Sequence, residues 1–343
     1  MIKKLQTYYD KRLVFKRYHP ELPIIIWNYT PEVQYDGLWD DITIQTRGLV
    51  TDESGNVLAR PFKKFWNLGE KRHTPTEQFE VFDKLDGSLI ILFWYEDQWI
   101  VASRGSFESD QAIAAKRIVD GLNTDILSKE YTYLFEYISK WNKIVVDYGD
   151  VEKLVLLSAI HTETDVEVDY WTLKNVIGDT IGVETVTRFD GITDYITLKD
   201  RIEKGKEGFV IRFENGQRVK IKSDEYLELH RIVTGLSTTA IWECLKSGRG
   251  LNEILKIAPD EYYKRIDEYA NDLEYQFYKI SDEVQMLYSH FIHHNPDASQ
   301  KDFALWVAEQ KSIYRPILFM LKQKRTDYKE YIWKLLKPDY AKL

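Results

Sequence analysis

The pattern of hydrophobic and polar positions changes near residue 235 of this chain. Before that point, apolar residues alternate with polar ones or form short continuous runs, and both patterns are typical of β-strands. Beyond it, apolar residues recur at steps of three and four, the period of an amphipathic helix. The pattern predicts an α+β protein with mainly antiparallel sheets and flanking helices over residues 1–240, and an all-α domain over residues 241–343.

Strand and helix signals divide the first part of the chain into short elements. A strand, a turn and a second strand are predicted within residues 42–66, because Gly, Ser, Asn and Asp separate two apolar runs. Further strands are predicted over residues 79–84, 89–94, 99–102, 131–138 and 154–160. Amphipathic helices are predicted over residues 1–20, with a basic face, and over residues 108–121.

A hairpin is predicted over residues 207–222, where Asn215-Gly216 separates two alternating runs. Asn-Gly is a strong signal for a two-residue turn, which would pair Glu214 with Gln217. That register places Glu207, Lys220 and Lys222 on one face of the sheet, with Phe209 between them. Such a face is suited to holding a phosphate and a metal ion over an aromatic floor.

The helical part begins with one long predicted helix, whose apolar stripe runs from Ile266 to Phe291. Shorter helices are predicted over residues 299–312, 315–323 and 326–336. Three histidines, His290, His293 and His294, lie near the end of the long helix. The favoured interpretation is that imidazoles lie there because a helix C-terminus stabilises them, with metal binding as the alternative.

Composition excludes several classes of protein. The 343 residues are 44% hydrophobic and 30% charged, an ordinary globular mixture, and their net charge of −8 disfavours indiscriminate coating of nucleic acid. Cys244 is the single cysteine, so neither an internal disulfide nor a cysteine-based zinc cluster is expected. No apolar run approaches the length of a membrane span, and we expect a cytoplasmic protein that does not bind membranes.

The strongest chemical signal is the segment Lys84-Leu85-Asp86-Gly87-Ser88, between two apolar runs. A lysine amine attacks a phosphoryl group when it is deprotonated, so Lys84 is a candidate nucleophile. Asp-Gly is also a favoured turn pair between two strands, so an ordinary β-hairpin explains the same residues. This segment alone leaves both interpretations open.

Two further groups of residues suggest a nucleotide site. The predicted hairpin at residues 42–66 would gather Arg47, Arg60, Lys63 and Lys64, which repel one another unless a polyphosphate lies among them or they point into solvent. Glu136 shares an apolar strand face with residues 134 and 138, and a carboxylate there needs a partner. A ribose hydroxyl or a structural Arg or Lys would serve equally well.

The order of these signals resembles a known superfamily. Lys84-Leu85-Asp86-Gly87 is similar to the Lys-x-Asp-Gly motif of covalent nucleotidyltransferases, which include ATP-dependent ligases and mRNA capping enzymes. The later motifs of that superfamily are resembled, in order, by Ser103-Arg104-Gly105-Ser106, Phe135-Glu136-Tyr137, Leu154-Val155-Leu156-Leu157, Glu207-Gly208-Phe209-Val210 and Val219-Lys220-Ile221-Lys222. Together with Arg47-Gly48-Leu49 and Lys64-Phe65-Trp66-Asn67, residues 35–235 resemble the phage RNA ligase 1 family, whose best-known member repairs tRNA.

The resemblance implies a three-step reaction. Lys84 would take AMP from ATP, pass it to the 5′-phosphate of an RNA, and a 3′-hydroxyl would then seal the strand. The implied roles are as follows: Lys220 and Lys222 at the α-phosphate, Arg47 and Lys64 at the β- and γ-phosphates, Glu136 at the ribose, Phe135 on the adenine, Asp86, Gly87 and Arg104 in the nucleotide site, and Glu207 as a ligand of Mg²⁺ or Mn²⁺. Arg104 stands where the best-known member has a lysine.

The resemblance also implies the partners. We expect ATP and a single-stranded or nicked-loop RNA such as tRNA as substrates, a monomeric protein, and a possible RNA-specificity role for residues 241–343. Two alternatives remain at this point. One is a ligase that acts on nicked duplexes or DNA, and the other is a protein that binds nucleotide and RNA without catalysis.

Overall fold

The computed structural model describes residues 2–70, 75, 77–233, 235–258 and 262–338. The chain divides into two compact units, residues 1–233 and 234–343. The first unit is built mainly of antiparallel sheets and the second of helices, which confirms the predicted α+β class. The assignment of residues 1–240 and 241–343 to two functions stays a prediction.

The first unit contains thirteen strands among its described residues. They are β1 (Val14–Tyr18), β2 (Ile24–Tyr29), β3 (Arg47–Asp52), β4 (Val57–Ala59), β5 (Trp66–Asn67), β6 (Phe79–Lys84), β7 (Ser88–Tyr95), β8 (Gln98–Ser103), β9 (Tyr131–Ser139), β10 (Glu152–His161), β11 (Arg188–Phe189), β12 (Gly208–Phe213) and β13 (Arg218–Lys222).

Helices connect these strands and form the second unit. They are α1 (Ile2–Asp10), α2 (Pro31–Tyr35), α3 (Asp110–Val119), α4 (Asp179–Ile181), α5 (Asp224–Val233), α6 (Thr238–Ser247), α7 (Asn252–Ile257), α8 (Tyr263–His294), α9 (Gln300–Glu309), α10 (Arg315–Lys322) and α11 (Tyr328–Leu335). Short 3₁₀ segments lie at Thr124–Ile126 and Ile196–Arg201, and a π-helical segment lies at Thr172–Gly178.

The strands form three sheets. Sheet I has the order β1-β2-β3-β4, sheet II the order β10-β9-β7-β8, and sheet III the order β11-β6-β12-β13-β5. All pairings are antiparallel except that of β13 with β5. Sheets I and II pack on each other through residues such as Ile26, Val50, Ile91 and Phe93. The other face of sheet II packs on α3 through Phe135, Tyr137 and Ala115.

The predicted helix over residues 1–20 is wrong in its second half. Helix α1 ends at Asp10, and Arg12 adopts a left-handed backbone conformation with φ of 59°. Residues Val14–Tyr18 then pair with β2 as an edge strand. Tertiary pairing therefore overrides the amphipathic pattern of this segment.

The hairpin over residues 207–222 forms, but its predicted register is wrong by one residue. Phe213 N donates to Gln217 O at 2.9 Å, so three residues form the loop instead of the two expected from Asn215-Gly216. Val210 therefore pairs with Lys220, and Phe209 pairs with Ile221. Phe209 and Ile221 lie in a core cluster on the opposite face from Lys220 and Lys222, so Phe209 is no aromatic floor for these lysines.

The hairpin interpretation of the Lys84 segment is also wrong. Strand β6 pairs with β11 and β12 in sheet III, whereas β7 pairs with β8 and β9 in sheet II. Residues 85–87 are therefore a crossover from one sheet to the other, and Lys84 ends the strand that enters it. This crossover places Lys84 where sheets II and III meet.

The second unit packs around α8, which confirms the predicted long helix. Phe277 and Val284 of α8 lie in one core cluster with Phe303 of α9, Ile317 of α10 and Ile332 of α11. The rings of His290 and His294 have centroids 4.1 Å apart. Among the described residues, no group of three or more His, Cys, Asp or Glu side chains is arranged to hold a metal ion.

Candidate active site

A cavity of about 540 Å³ lies where sheets II and III meet. Its wall takes residues from seven strands of these two sheets and from the crossover between them. Eight of the eleven predicted site residues line it, and seven of them are Arg47, Lys84, Asp86, Gly87, Arg104, Glu136 and Glu207. Lys222 also lines it, and Phe135, Lys64 and Lys220 are outside its wall.

Lys84, Gly208 and Lys222 lie side by side across strands β6, β12 and β13. Lys84 Nζ is 2.7 Å from Glu207 Oε1, and Lys222 Nζ is 3.6 Å from the same oxygen. All three side chains are largely buried, with 19%, 11% and 3% of Lys84, Lys222 and Glu207 exposed. Two amines thus meet one carboxylate at the rim of sheet III.

Gly208 explains how Glu207 reaches this side of the sheet. Simple alternation would place Glu207 on the face of Phe209, away from the lysines. Gly208 has φ of 152°, and a Cβ at this position would lie 1.9 Å from the backbone oxygen of Ile221. The backbone at Gly208 therefore departs from regular strand geometry in a way that a side chain does not allow. The predicted grouping of Glu207 with the lysines is correct, although the register behind it is not.

Asp86 is buried and anchors the crossover. Its Oδ2 accepts hydrogen bonds from the backbone amides of Val145 and Val146, both at 2.8 Å. Its Oδ1 accepts from the hydroxyl of Tyr226 at 2.8 Å. Both carboxylate oxygens are therefore engaged with the protein, which favours a role in fixing the turn after Lys84 over direct binding of a metal or ribose.

Glu136 faces the cavity from β9. Its Oε1 accepts a hydrogen bond from Gly87 N at 3.0 Å. Burial raises the pKa of Glu136 to about 8, although the nearby Lys84 acts in the opposite direction. At neutral pH the carboxyl is therefore mostly protonated, and it can both donate to and accept from a hydroxyl group.

Phe135 does not lie where adenine stacking requires it. The residue is fully buried in the core between sheet II and α3. Since successive side chains of a strand point to opposite faces, Glu136 faces the cavity and Phe135 cannot. Aromatic residues that do line the cavity include Phe65, Phe82 and Tyr170.

The four cations expected at the end of the first hairpin do not gather at one point. Arg60 Nε donates to the backbone oxygen of Thr162 at 2.6 Å, and Lys63 forms an ion pair with Asp165. Arg47 lines the cavity, with its guanidinium 5.7 Å from the ring centroid of Phe65. Lys64 is buried and lines an adjoining cavity of about 1070 Å³, which shares Phe62, Phe65 and Arg218 with the first.

Lys220 lies between Lys222 and Arg218 along β13. It pairs with Val210, a cavity residue, and paired residues of antiparallel strands share a face. Lys220 is therefore on the cavity side of sheet III. Arg104 lies on the loop after β8, where its backbone oxygen accepts from Asn28 Nδ2 at 3.1 Å.

An ion-pair network at the far end of the cavity was not predicted. Arg212 Nη1 is 2.8 Å from Glu167, its Nε donates to Glu80 at 2.9 Å, and Arg218 also pairs with Glu167. Burial alone would raise the pKa of Glu167, but the adjacent Arg218 and Arg212 hold it below its ordinary value. Arg212 and Arg218 lie on the hairpin strands β12 and β13. The sequence signal for this network was the alternation of these charged residues with apolar ones along the two strands.

The donor set at Lys84 fits a divalent cation that binds mostly through phosphates and water. Mg²⁺ usually takes one or two protein carboxylates and keeps several waters. Glu207 supplies one buried carboxylate at the point where phosphates would meet Lys84 and Lys222. The residues present therefore suit a metal ion that arrives with a nucleotide.

The sequence model of a family described as RNA ligase, of the phage type, matches residues 45–226. The chain belongs to the RNA ligase family. This membership confirms the family predicted from the sequence. The matched span contains every cavity-lining residue discussed above, from Arg47 to Tyr226.

Two relatives in this family illustrate the extent of the similarity. A putative bifunctional polynucleotide kinase/RNA ligase of Autographa californica nuclear polyhedrosis virus is 28% identical, with 55% of this chain and 31% of that protein covered. An RNA ligase of Rhodothermus phage RM378 is 23% identical, with 74% of this chain and 75% of the phage protein covered. The chain thus spans less than a third of the length of the polyhedrosis virus protein.

One solved structure shares the fold over almost the whole chain. A putative ATP-dependent DNA ligase from Aquifex aeolicus superposes with a TM-score of 0.51 at 16% identity, covering 98% of this chain and 77% of that one. At 16% identity, this similarity shows only that the two chains share a fold.

No helix among the described residues has the length and apolar character needed to cross a membrane.

Proposed function

We propose that this member of the RNA ligase family is an ATP-dependent RNA ligase that acts through a lysine-AMP intermediate. It would join a 5′-phosphate and a 3′-hydroxyl of RNA in three steps, through adenylylated Lys84 and adenylylated RNA. Family membership supports RNA ligation in general. The observation that carries the mechanism is the buried amine of Lys84, which faces a cavity large enough for a nucleotide.

The first step uses Lys84 as the nucleophile. Its nitrogen lone pair forms a bond to the α-phosphorus of ATP, the bond from that phosphorus to the bridging oxygen breaks, and pyrophosphate leaves with the electron pair. One proton leaves the nitrogen to solvent as the phosphoramidate forms. Lys222, which lies beside Lys84, and Lys220 on the same face would stabilise the charge that develops on the phosphate oxygens.

Other residues would position the nucleotide. Arg47 would hold the β- and γ-phosphates from the cavity wall, and Lys64 would do so from the adjoining cavity, because in-line displacement depends on alignment. Glu136, protonated at neutral pH, would bond to a ribose hydroxyl. Arg104 would contact phosphate at the rim. Glu207 would hold Mg²⁺, or Mn²⁺, which when bound neutralises phosphate charge.

The substrate would be single-stranded RNA or a nicked loop, such as a cleaved tRNA in a repair pathway. The helical unit, residues 234–343, would contribute to RNA selection. We further propose that the protein acts as a monomer in the cytoplasm.

Labelling with ATP tests the proposal directly. The protein is incubated with Mg²⁺ and ATP labelled at the α-phosphate, without RNA, after treatment with pyrophosphate to remove any AMP carried through purification. We expect acid-labile label on denatured wild type and none on Lys84→Ala. Lys153→Ala is the matched control, because Lys153 forms an exposed ion pair with Glu184 away from the cavity and should label like wild type. An unlabelled wild type would contradict the proposal.

A second assay tests the substrate. Single-stranded RNA, nicked RNA duplex and single-stranded DNA, each with a 5′-phosphate, are offered to the same protein preparation. We expect the fastest joining with single-stranded RNA. Preferential sealing of the nicked duplex or of DNA would overturn the proposed substrate and leave the lysine-AMP step intact.

A further inference from the structure

The crossover that follows Lys84 has to find hydrogen-bond partners outside both sheets. Residues 85–87 lie between β6 of sheet III and β7 of sheet II, so no strand ladder receives their backbone amides. Buried backbone groups nearly always have partners, because an unpaired one costs stability. The partners of this segment therefore determine how firmly the end of β6 is held.

The loop between β9 and β10 forms three hydrogen bonds with Asp86, the middle residue of this crossover. Asp86 N donates to the hydroxyl of Tyr148 at 2.8 Å. The amides of Val145 and Val146 in the same loop donate to the Asp86 carboxylate, both at 2.8 Å. One loop thus holds both the backbone and the side chain of Asp86, two residues after the nucleophile.

Tyr148 acts from behind the cavity. Its side chain packs against the apolar cluster of Ile138, Val155 and Val186, as do Phe82 and Leu85, which lie on either side of Lys84 in the chain. Tyr148 is absent from the wall of the cavity. Burial raises the pKa of the Tyr148 phenol above its ordinary value, so the hydroxyl stays neutral over the working pH range.

We propose that Tyr148 is a positioning residue for the nucleophile: its hydroxyl holds the Asp86 amide and thereby aims the Lys84 amine at the α-phosphorus. This inference rests on the proposed function. It concerns the two steps that use Lys84, namely attack on ATP and transfer of AMP to RNA. In the sealing step the RNA 3′-oxygen forms a bond to the 5′-phosphate, its proton leaves, and AMP departs, so Lys84 is no nucleophile there.

This difference between the steps distinguishes misplacement of Lys84 from a general loss of structure. Misplacement slows only the steps that use Lys84, whereas a general loss of structure slows all three. Tyr148→Phe keeps the ring and removes the hydroxyl. We expect the rate of lysine adenylylation at saturating ATP to fall by about ten- to a hundredfold, since a misplacement of about 1 Å can cost that much. The KM for ATP and the sealing of pre-adenylylated RNA by the same variant should stay within about twofold, because neither depends on the aim of Lys84.

Tyr133→Phe is the matched control. Tyr133 is a buried tyrosine whose hydroxyl also bonds to the backbone: it donates to the backbone oxygen of Ser128 at 3.2 Å, outside the cavity. We expect this variant to label and seal like wild type. If Tyr148→Phe destabilises the fold, the labelling rate is corrected for the folded fraction measured by urea unfolding, and the fall should remain.

Three outcomes would overturn the inference. Labelling by Tyr148→Phe at the wild-type rate would show that the hydroxyl does not aim Lys84. An equal fall in labelling and in sealing of pre-adenylylated RNA would assign Tyr148 to the general architecture of the cavity. Full recovery of the labelling rate once it is corrected for the folded fraction would do the same. Wild type that neither labels nor seals would instead refute the proposed function itself.

Discussion

Two charged clusters lie on the same face of sheet III, at opposite ends of the three strands that carry them. At one end, Lys84 and Lys222 meet Glu207. At the other end, Arg212 lies between Glu80 and Glu167. A lysine can lose its proton and become a nucleophile, whereas an arginine stays protonated and forms fixed forked contacts. The first cluster therefore suits chemistry and the second suits scaffolding, although both look alike as charged positions in a strand.

Exchanging lysine and arginine between the two clusters should have the largest effect, because only the cluster at Lys84 needs an amine that can lose its proton. Lys84→Arg keeps the positive charge next to Glu207 but provides no amine that forms a stable lysine-AMP. We expect labelling from α-labelled ATP to fall by at least about a thousandfold. Arg212→Lys, the reciprocal change, should label like wild type once corrected for the folded fraction. Normal labelling of Lys84→Arg would mean that the nucleophile lies elsewhere.

Gly208→Ala tests whether the backbone at the lysine end is needed for Glu207 to meet Lys84. A Cβ would collide with the backbone oxygen of Ile221, so β12 or β13 must shift. We expect labelling to fall by about a hundredfold or more because the carboxylate moves relative to the amine. Gly216→Ala is the control: its φ of 79° is also positive, but no atom lies within 4 Å of the added Cβ. Equal effects of the two variants would refute this role of Gly208.

Glu167→Gln sharpens the comparison at the arginine end. The change leaves Arg212 and Arg218 without their shared charged partner in a largely buried place. We expect the free energy of unfolding to fall by about 3 kcal/mol, with labelling per folded molecule close to wild type. Glu184→Gln, which removes the charge from an exposed ion pair with Lys153, should change the free energy of unfolding by less than about 1 kcal/mol. Urea unfolding measures both, and a large loss of labelling by folded Glu167→Gln would give this cluster a catalytic role.

The stability of the first unit should also depend on pH. The pKa of Glu136 is raised by burial from 4.5 to about 8, so the folded state holds a proton that the unfolded chain releases earlier. Its contribution to stability is full below pH 4.5 and is lost as pH rises to 8. Glu136→Gln lacks this titration, so its stability relative to wild type should improve over that range. Urea unfolding at several pH values measures the difference; a constant difference would contradict the raised pKa.

Prediction from sequence succeeded where a pattern or motif lies within one continuous segment. The strands around Lys84, Glu136 and Lys222 were correctly located because short apolar runs end at turn residues. The grouping of Lys84, Glu207 and Lys222 followed from a family resemblance that depends on short local motifs. Helix α8 was recognisable because its apolar stripe continues through many turns.

The failures share one cause, which is tertiary pairing that local sequence does not encode. Asn215-Gly216 signals a turn but does not distinguish a two-residue loop from the three-residue loop observed, and that single residue moves Phe209 to the opposite face. Phe135 follows the same rule: its strand was predicted, but the face that meets the cavity depends on which sheet packs against it. The partners of Glu167 are distant in the chain, so no motif revealed them.

The most direct measurement of the central claim is the location of covalent AMP in the protein. The protein is incubated with ATP and Mg²⁺, digested, and its peptides are mapped by mass spectrometry under conditions that preserve phosphoramidates. Our account predicts that AMP is found on Lys84 and on no other lysine, including Lys220 and Lys222. AMP on either of those residues, or on no lysine in a preparation first cleared with pyrophosphate, would contradict it.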